Sequence, residues 1–174
     1  MSSSLVEVYT AEAVVTGVQA ESAELRDVLE AGDSLRLVQS RWTPLSPLPG
    51  GPEARRDMLA IDDIIAAVDA DDIRQVIHAN WHDVVLDAGP YRITGALPVL
   101  PGFDPGRALT RPGSTFLQLR DARMEIIDHP EAGQVERSTL LVNRYAVERV
   151  ASDLILGFFF PAAQFETLQG VPAG

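Results

Sequence analysis

His78 and His82 stand four residues apart, the spacing that brings two imidazoles to one face of a helix, and Asp83 or Asp87 supplies a carboxylate to complete a divalent-metal set. The pattern goes no further. No His-Glu-x-x-His occurs, His129 falls in a loop, and Trp81 marks the segment as packed. Two titrating imidazoles on a surface or interdomain helix are therefore expected, with no metal bound. The carboxylates Asp62, Asp63, Asp69, Asp71 and Asp72 suggest a calcium loop, but counting from Asp69 puts Arg74 at the sixth position and Asn80 at the twelfth, where an EF-hand needs glycine and glutamate. Helix capping and a solvated acidic face are the expected roles. No Gly-x-Ser-x-Gly elbow or Gly-x-Gly-x-x-Gly turn is present, so no catalytic residue is assigned and no cofactor is implied.

Arginine is the remaining chemistry. All 14 positive side chains are arginine; there is no lysine and no cysteine. Those absences exclude Schiff-base lysine chemistry, a P-loop lysine, thiolate nucleophiles, disulfides and cysteine-held metal clusters. Arg107-Ala-Leu-Thr-Arg111 resembles the Arg-x-x-x-Arg signature of PilZ barrels, but the Asp/Asn-x-Ser-x-x-Gly that follows it in that family is missing. With Arg120 and Arg123 these residues form a candidate anion site, since guanidinium groups suit forked carboxylate or phosphate contacts. Residues 1–80 hold six arginines against 14 carboxylates, a net −8, and residues 81–174 hold eight against 11, a net −3. An anionic ligand therefore favours the later half.

The whole chain of 174 residues carries a net charge of −11 and is 46% hydrophobic, a composition that supports a core and disfavours nucleic acid or an anionic membrane as partner. No basic-then-apolar leader and no apolar run of about 20 residues is seen, so neither a signal peptide nor a membrane span is expected, and a cytoplasmic location is the default.

A repeat organises the chain. Glu12–Val18 matches Pro90–Ala96 at an offset of 78, with Thr16-Gly17 over Thr94-Gly95. Leu29–Gly32 lies over Thr110–Gly113 at 81, Leu35–Trp42 over Leu117–Met124 at 82, and Met58–Val68 over Leu140–Val150 at 82. Four matches in order imply a tandem duplication, with units at 1–80 and 81–174. Each unit reads as a strand (Val6 to Val18; Val84 to Leu97), a connector, a second strand (Ser34 to Thr43; Thr115 to Ile127), and a third strand or hairpin (Arg56 to Val68; Glu136 to Val150). The pairs Asp62-Asp63 and Asn143-Arg144 interrupt the last segments as turns would. The first connector is expected to be a helix over Glu21–Glu30 with Ser22 as cap; the second, rich in proline and glycine, holds at most one turn near Arg107–Thr110. Thr43–Pro52 reads as an exposed hairpin loop, and Asp69–His82 as an amphipathic helix between the units.

The short segments Leu25-Arg-Asp-Val-Leu29, Asp121-Ala-Arg123 and Leu141-Val-Asn-Arg144 resemble those of a group of small, uncharacterised bacterial β domains, in which an Asp-Ala-Arg-like strand end and a Leu-Val-Asn-Arg-like strand start recur in order. The resemblance implies a small barrel and no catalytic residues. The expected fold is thus mainly β: two small β-barrel or β-roll units packed as a pseudo-dimer, with short helices in the connectors. Leu154, Ile155, Phe158, Phe159 and Phe160, in an apolar run, form either a core element sealing the halves or an interface. The expected function is a non-enzymatic protein-interaction or scaffold module, through a protein partner or self-association. The alternative is a small-ligand or anion sensor using Arg107, Arg111, Arg120 and Arg123.

Overall fold

Valine, isoleucine and leucine at alternate positions, broken by short polar turns, specify strands that bury one face. The computed structural model describes residues 4–46, 57–69, 80–99, 114–152 and 159–167. In the first half these form β1 (Leu5–Thr10), β2 (Ala13–Gln19), helix α1 (Leu25–Ala31), β3 (Ser34–Pro44), β4 (Met58–Ala60), a 3₁₀ turn (Ile61–Asp63) and β5 (Ile64–Asp69). In the second half they form β6 (Asn80–Ala88), β7 (Tyr91–Val99), β8 (Phe116–Ile126), a 3₁₀ turn (Pro130–Ala132), β9 (Gln134–Asn143), β10 (Val147–Ser152) and β11 (Gln164–Thr167). The chain is mainly β, with one described helix.

Several expectations need correction. Each opening strand is a hairpin, because two-residue turns at Ala11-Glu12 and Gly89-Pro90 divide it. Gly89 takes φ +53 there, and a Cβ would lie 2.8 Å from Ile65 Cδ1. The first connector helix starts at Leu25 with Glu24 at its N-cap, not Ser22, and buries Leu25 and Leu29. The segment Asp69–His82 is not helical at either end: Asp69 closes β5, while Trp81 and His82 pair with Pro98 and Leu97 in the β6–β7 ladder. The rest of that segment lies outside the described residues. Asp121-Ala-Arg123 sits within β8 and Leu141-Val-Asn143 at the end of β9.

The two halves do not close into barrels. All the described strands join in one open sheet, ordered β11-β10-β6-β7-β8-β9-β5-β1-β2-β3-β4. The interior order β10-β6-β7-β8-β9 repeats β5-β1-β2-β3-β4 strand for strand. The turns at Ile61–Asp63 and Arg144–Ala146 are consequently not hairpins, since β4 pairs with β3 while β5 returns to pair with β1.

Local irregularities also coincide. The β2–β3 ladder shifts register between Thr16 and Val18, and the β7–β8 ladder between Thr94 and Ala96. Each bulge holds a residue of positive φ, Gln39 at +53° and Asp121 at +51°, opposite a glycine. A Cβ on Gly17 would stand 3.1 Å from Leu37 Cβ and 3.2 Å from the Val38 carbonyl, and one on Gly95 3.2 Å from the Arg120 carbonyl. Gly17→Ala and Gly95→Ala are each expected to cost about 1–3 kcal/mol by overpacking against this backbone, with Gly17→Ala the larger; urea unfolding of the two variants measures it. The final match slips by one residue. Leu35 pairs with Leu59 whereas Leu117 pairs with Val142, an offset of 83 and not 82. A slip of one exchanges inward for outward positions.

Two cores lie on opposite faces of the sheet. One contains Val6, Val8, Leu25, Leu29, Leu35, Leu37 and Ile64; it also takes Phe116 and Leu141 from the second half. The other contains Leu86, Tyr91, Ile93, Leu119, Val150 and Phe160, and takes Tyr9, Ile65 and Ala66 from the first half. The joint between halves is β5 against β9, with Ala66 opposite Val142 and Ala67 opposite Leu141. Both strands are buried on both faces here, which explains the unbroken apolar runs Ile64–Val68 and Leu140–Val142.

Candidate interaction surface

Residues directly opposite in an antiparallel ladder point to the same face. Leu5 stands opposite Val18, and Val18 opposite Val38, so three apolar side chains form one row across β1, β2 and β3. Leu5 is 54% exposed and Val38 40%, with Val18 half-buried between them. The matching row in the second half is Asp83, Ala96 and Arg120, joined by the same pairings across β6, β7 and β8. There the Arg120 guanidinium lies 4.0 Å from the centroid of the Trp81 ring and 3.3 Å from Asp121 Oδ2. One half thus shows an apolar stripe to solvent where the other shows charge.

The neighbouring rows run into the joint. Glu7 Oε1 accepts hydrogen bonds from Arg137 Nε at 3.0 Å and NH2 at 2.8 Å, and from the Tyr9 hydroxyl. The Tyr9 ring meets Tyr91 edge-on, with centroids 5.6 Å apart, and the Tyr91 hydroxyl donates to the Thr10 carbonyl at 2.7 Å. Burial raises both phenols far above their ordinary value, and the Glu7 carboxylate raises Tyr9 further. Burial acts to lower the Arg137 guanidinium, but its bonds to Glu7 and its neighbour Tyr9 leave it raised. On the other face, the Glu30 carboxylate at the end of α1 accepts the N–H groups of Thr115 and Phe116, both at 2.8 Å. The Asn143 amide donates to the Ile64 carbonyl at 3.1 Å, satisfying a group at the β5 bulge. Arg144 is held below its usual value by burial, and its Nε has no hydrogen-bond partner among the described residues.

Of the arginines proposed for an anion site, Arg107 and Arg111 lie outside the described residues. Arg120 is engaged as above, and Arg123 pairs with its cross-strand neighbour Glu136 at 3.1 Å. Arg92 makes a forked pair with Asp87, at 2.8 and 3.0 Å. Leu154, Ile155 and Phe158 lie outside the described residues, as does His78. Phe160 is fully buried in the second core and Phe159 packs against it. Among the described residues, no three of His, Asp and Glu gather to hold a metal ion, and no helix is long and apolar enough to cross a membrane.

Sequence reasoning passed over Glu7, Tyr9, Tyr91 and Arg137, whose separations of up to 130 residues carry no local signal. The Leu5–Val18–Val38 row was also missed, although the repeat contains it: each of these residues lines up with Asp83, Ala96 and Arg120 at the offsets of 78 and 82 already noted. Comparison with protein-family models, curated proteins and solved structures finds no match, and nothing there points to an enzyme.

Proposed function

We propose that the chain is a tandem duplication of a five-stranded unit joined head to tail as a pseudo-dimer, and that it acts as a non-enzymatic protein-interaction module through the outer face of its first unit. The shared strand order and the paired bulges at Gln39 and Asp121 support the duplication. One observation carries the functional reading: positions that hold Asp83, Ala96 and Arg120 in one unit hold Leu5, Val18 and Val38 in the other. On this reading the second unit carries charged residues, Asp83 and Arg120, at the positions of Leu5 and Val38, which supports the view that folding alone does not demand apolar side chains there. An exposed apolar row on an acidic protein suits contact with another protein surface.

The double variant Leu5→Asp/Val38→Arg copies the second unit onto the first. It is expected to keep the wild-type thermal midpoint within a few degrees while losing the concentration-dependent rise in mass that the wild type is expected to show in light scattering. A wild-type chain that stays strictly monomeric over the whole concentration range removes the self-association form of this reading.

A further inference from the structure

The joint between the halves uses two non-equivalent edges, β9 of the second half against β5 of the first. Such a head-to-tail contact does not close on itself: each molecule retains the other edge of each unit, and those edges can repeat the contact with further copies. Among the described residues the counterpart of β9 is β4, at the end of the sheet, and the counterpart of β5 is β10. At the offset of 83, the paired residues Ala66–Val142 and Ala67–Leu141 correspond to Arg149–Leu59 and Val150–Met58. A second copy's β4 would therefore meet β10 at Arg149 and Val150.

Those positions are already taken. β11 lies parallel to β10 with Gln164 opposite Arg149 and Phe165 opposite Val150, and Glu166 forms an ion pair with Arg149. The same C-terminal segment brings Phe160 into the second core, fully buried, as the joint brings Phe116 fully buried into the first. The other end of the sheet shows what an unmade joint looks like. Leu141, buried by the joint, is 4% exposed, whereas its counterpart Met58 is 56% exposed.

We infer that β11 is an edge cap built from the chain's own C-terminal segment, which occupies the β10 edge that would otherwise accept β4 of a second copy and extend the sheet head to tail. A four-residue strand held by one short ladder and an exposed ion pair is displaceable, so assembly would be gated by its release. This inference rests on the duplication proposed above but not on the apolar row.

Truncation after Ala163 removes β11 and keeps Phe160. The truncated chain is expected to grow with concentration, its weight-average mass reaching about twice the monomer or beyond. In the cysteine-free chain, the pair Asp57→Cys and Ala151→Cys, one residue beyond the inferred contact, should then form intermolecular disulfides when oxidised glutathione is added as the oxidant. The full-length variant Glu166→Arg is expected to assemble partly beyond the wild type, and the charge swap Arg149→Glu/Glu166→Arg to return it to the wild-type mass. A folded truncation no heavier than the full-length chain at the same concentration overturns the inference; should the truncation not fold, a Glu166→Arg chain no heavier than the wild type overturns it instead. The truncation is also made with Leu5→Asp/Val38→Arg. Assembly that persists there belongs to the edge, whereas assembly that disappears belongs to the apolar row and overturns the edge cap while leaving the proposed interaction face intact.

Discussion

Phe116→Ala is expected to lower the unfolding free energy by about 3–5 kcal/mol, a large share of the margin available to a chain of this size. Phe116 opens β8, and its side chain is fully buried in the core of the other half beside Leu141. Truncation removes a ring from a site closed by strands of both halves, which leaves little freedom to collapse around the void. Its backbone N–H remains bonded to Glu30, so the loss is one of packing and not of hydrogen bonding. Urea unfolding gives the magnitude, and the two tryptophans report on the halves separately, since Trp42 packs against the first core and Trp81 lies on β6 in the second half. Both signals should move to lower urea together. A loss below about 1 kcal/mol, or a shift of one tryptophan alone, would show that the joint does not couple the halves.

The second large effect is alkaline. The phenols of Tyr9 and Tyr91 are raised by burial, and Tyr9 further by Glu7. In the unfolded chain both ionise near pH 10, whereas in the folded chain they keep their protons well above it. The folded state then binds more protons than the unfolded one, so stability is fully present below about pH 10 and falls as pH rises beyond it. With both groups contributing, the limiting slope is about 2.7 kcal/mol per pH unit. Urea midpoints should be flat from pH 7 to about 9.5 and then drop steeply. Tyr91→Phe should roughly halve the slope. It should also cost about 1–2 kcal/mol at neutral pH, because the Thr10 carbonyl loses its buried donor.

How much of this was legible beforehand differs from element to element. Alternation marked β3 and β8 within a residue or two of their ends, because one buried face imposes period two on the side chains. The hairpins at Ala11-Glu12 and Gly89-Pro90 merged into single strands, although Gly-Pro is a turn signal, because alternation resumes on the far side of a two-residue turn. The bulges were invisible in composition, since Gln39 and Asp121 stand where the positive φ would favour glycine; the glycines that make room for them, Gly17 and Gly95, are opposite. Apolar runs such as Ile64–Val68 signalled burial on both faces without saying what lay on each.

By itself the sequence determined the mainly β character, the order of matching segments in the two halves, the arginine-only positive charge and the presence of a helix in the first connector, expected over Glu21–Glu30 and found at Leu25–Ala31. These follow from local periodicity and residue type, which act over a few positions. Tertiary structure decided that the strands form one open sheet instead of closed barrels, that Phe116 and Tyr9 are exchanged between cores, and that β11 rather than another strand occupies the edge of β10. Backbone hydrogen bonds are alike along every strand edge. Which edges meet is therefore set by the side chains that the meeting buries, and those lie far apart in the chain.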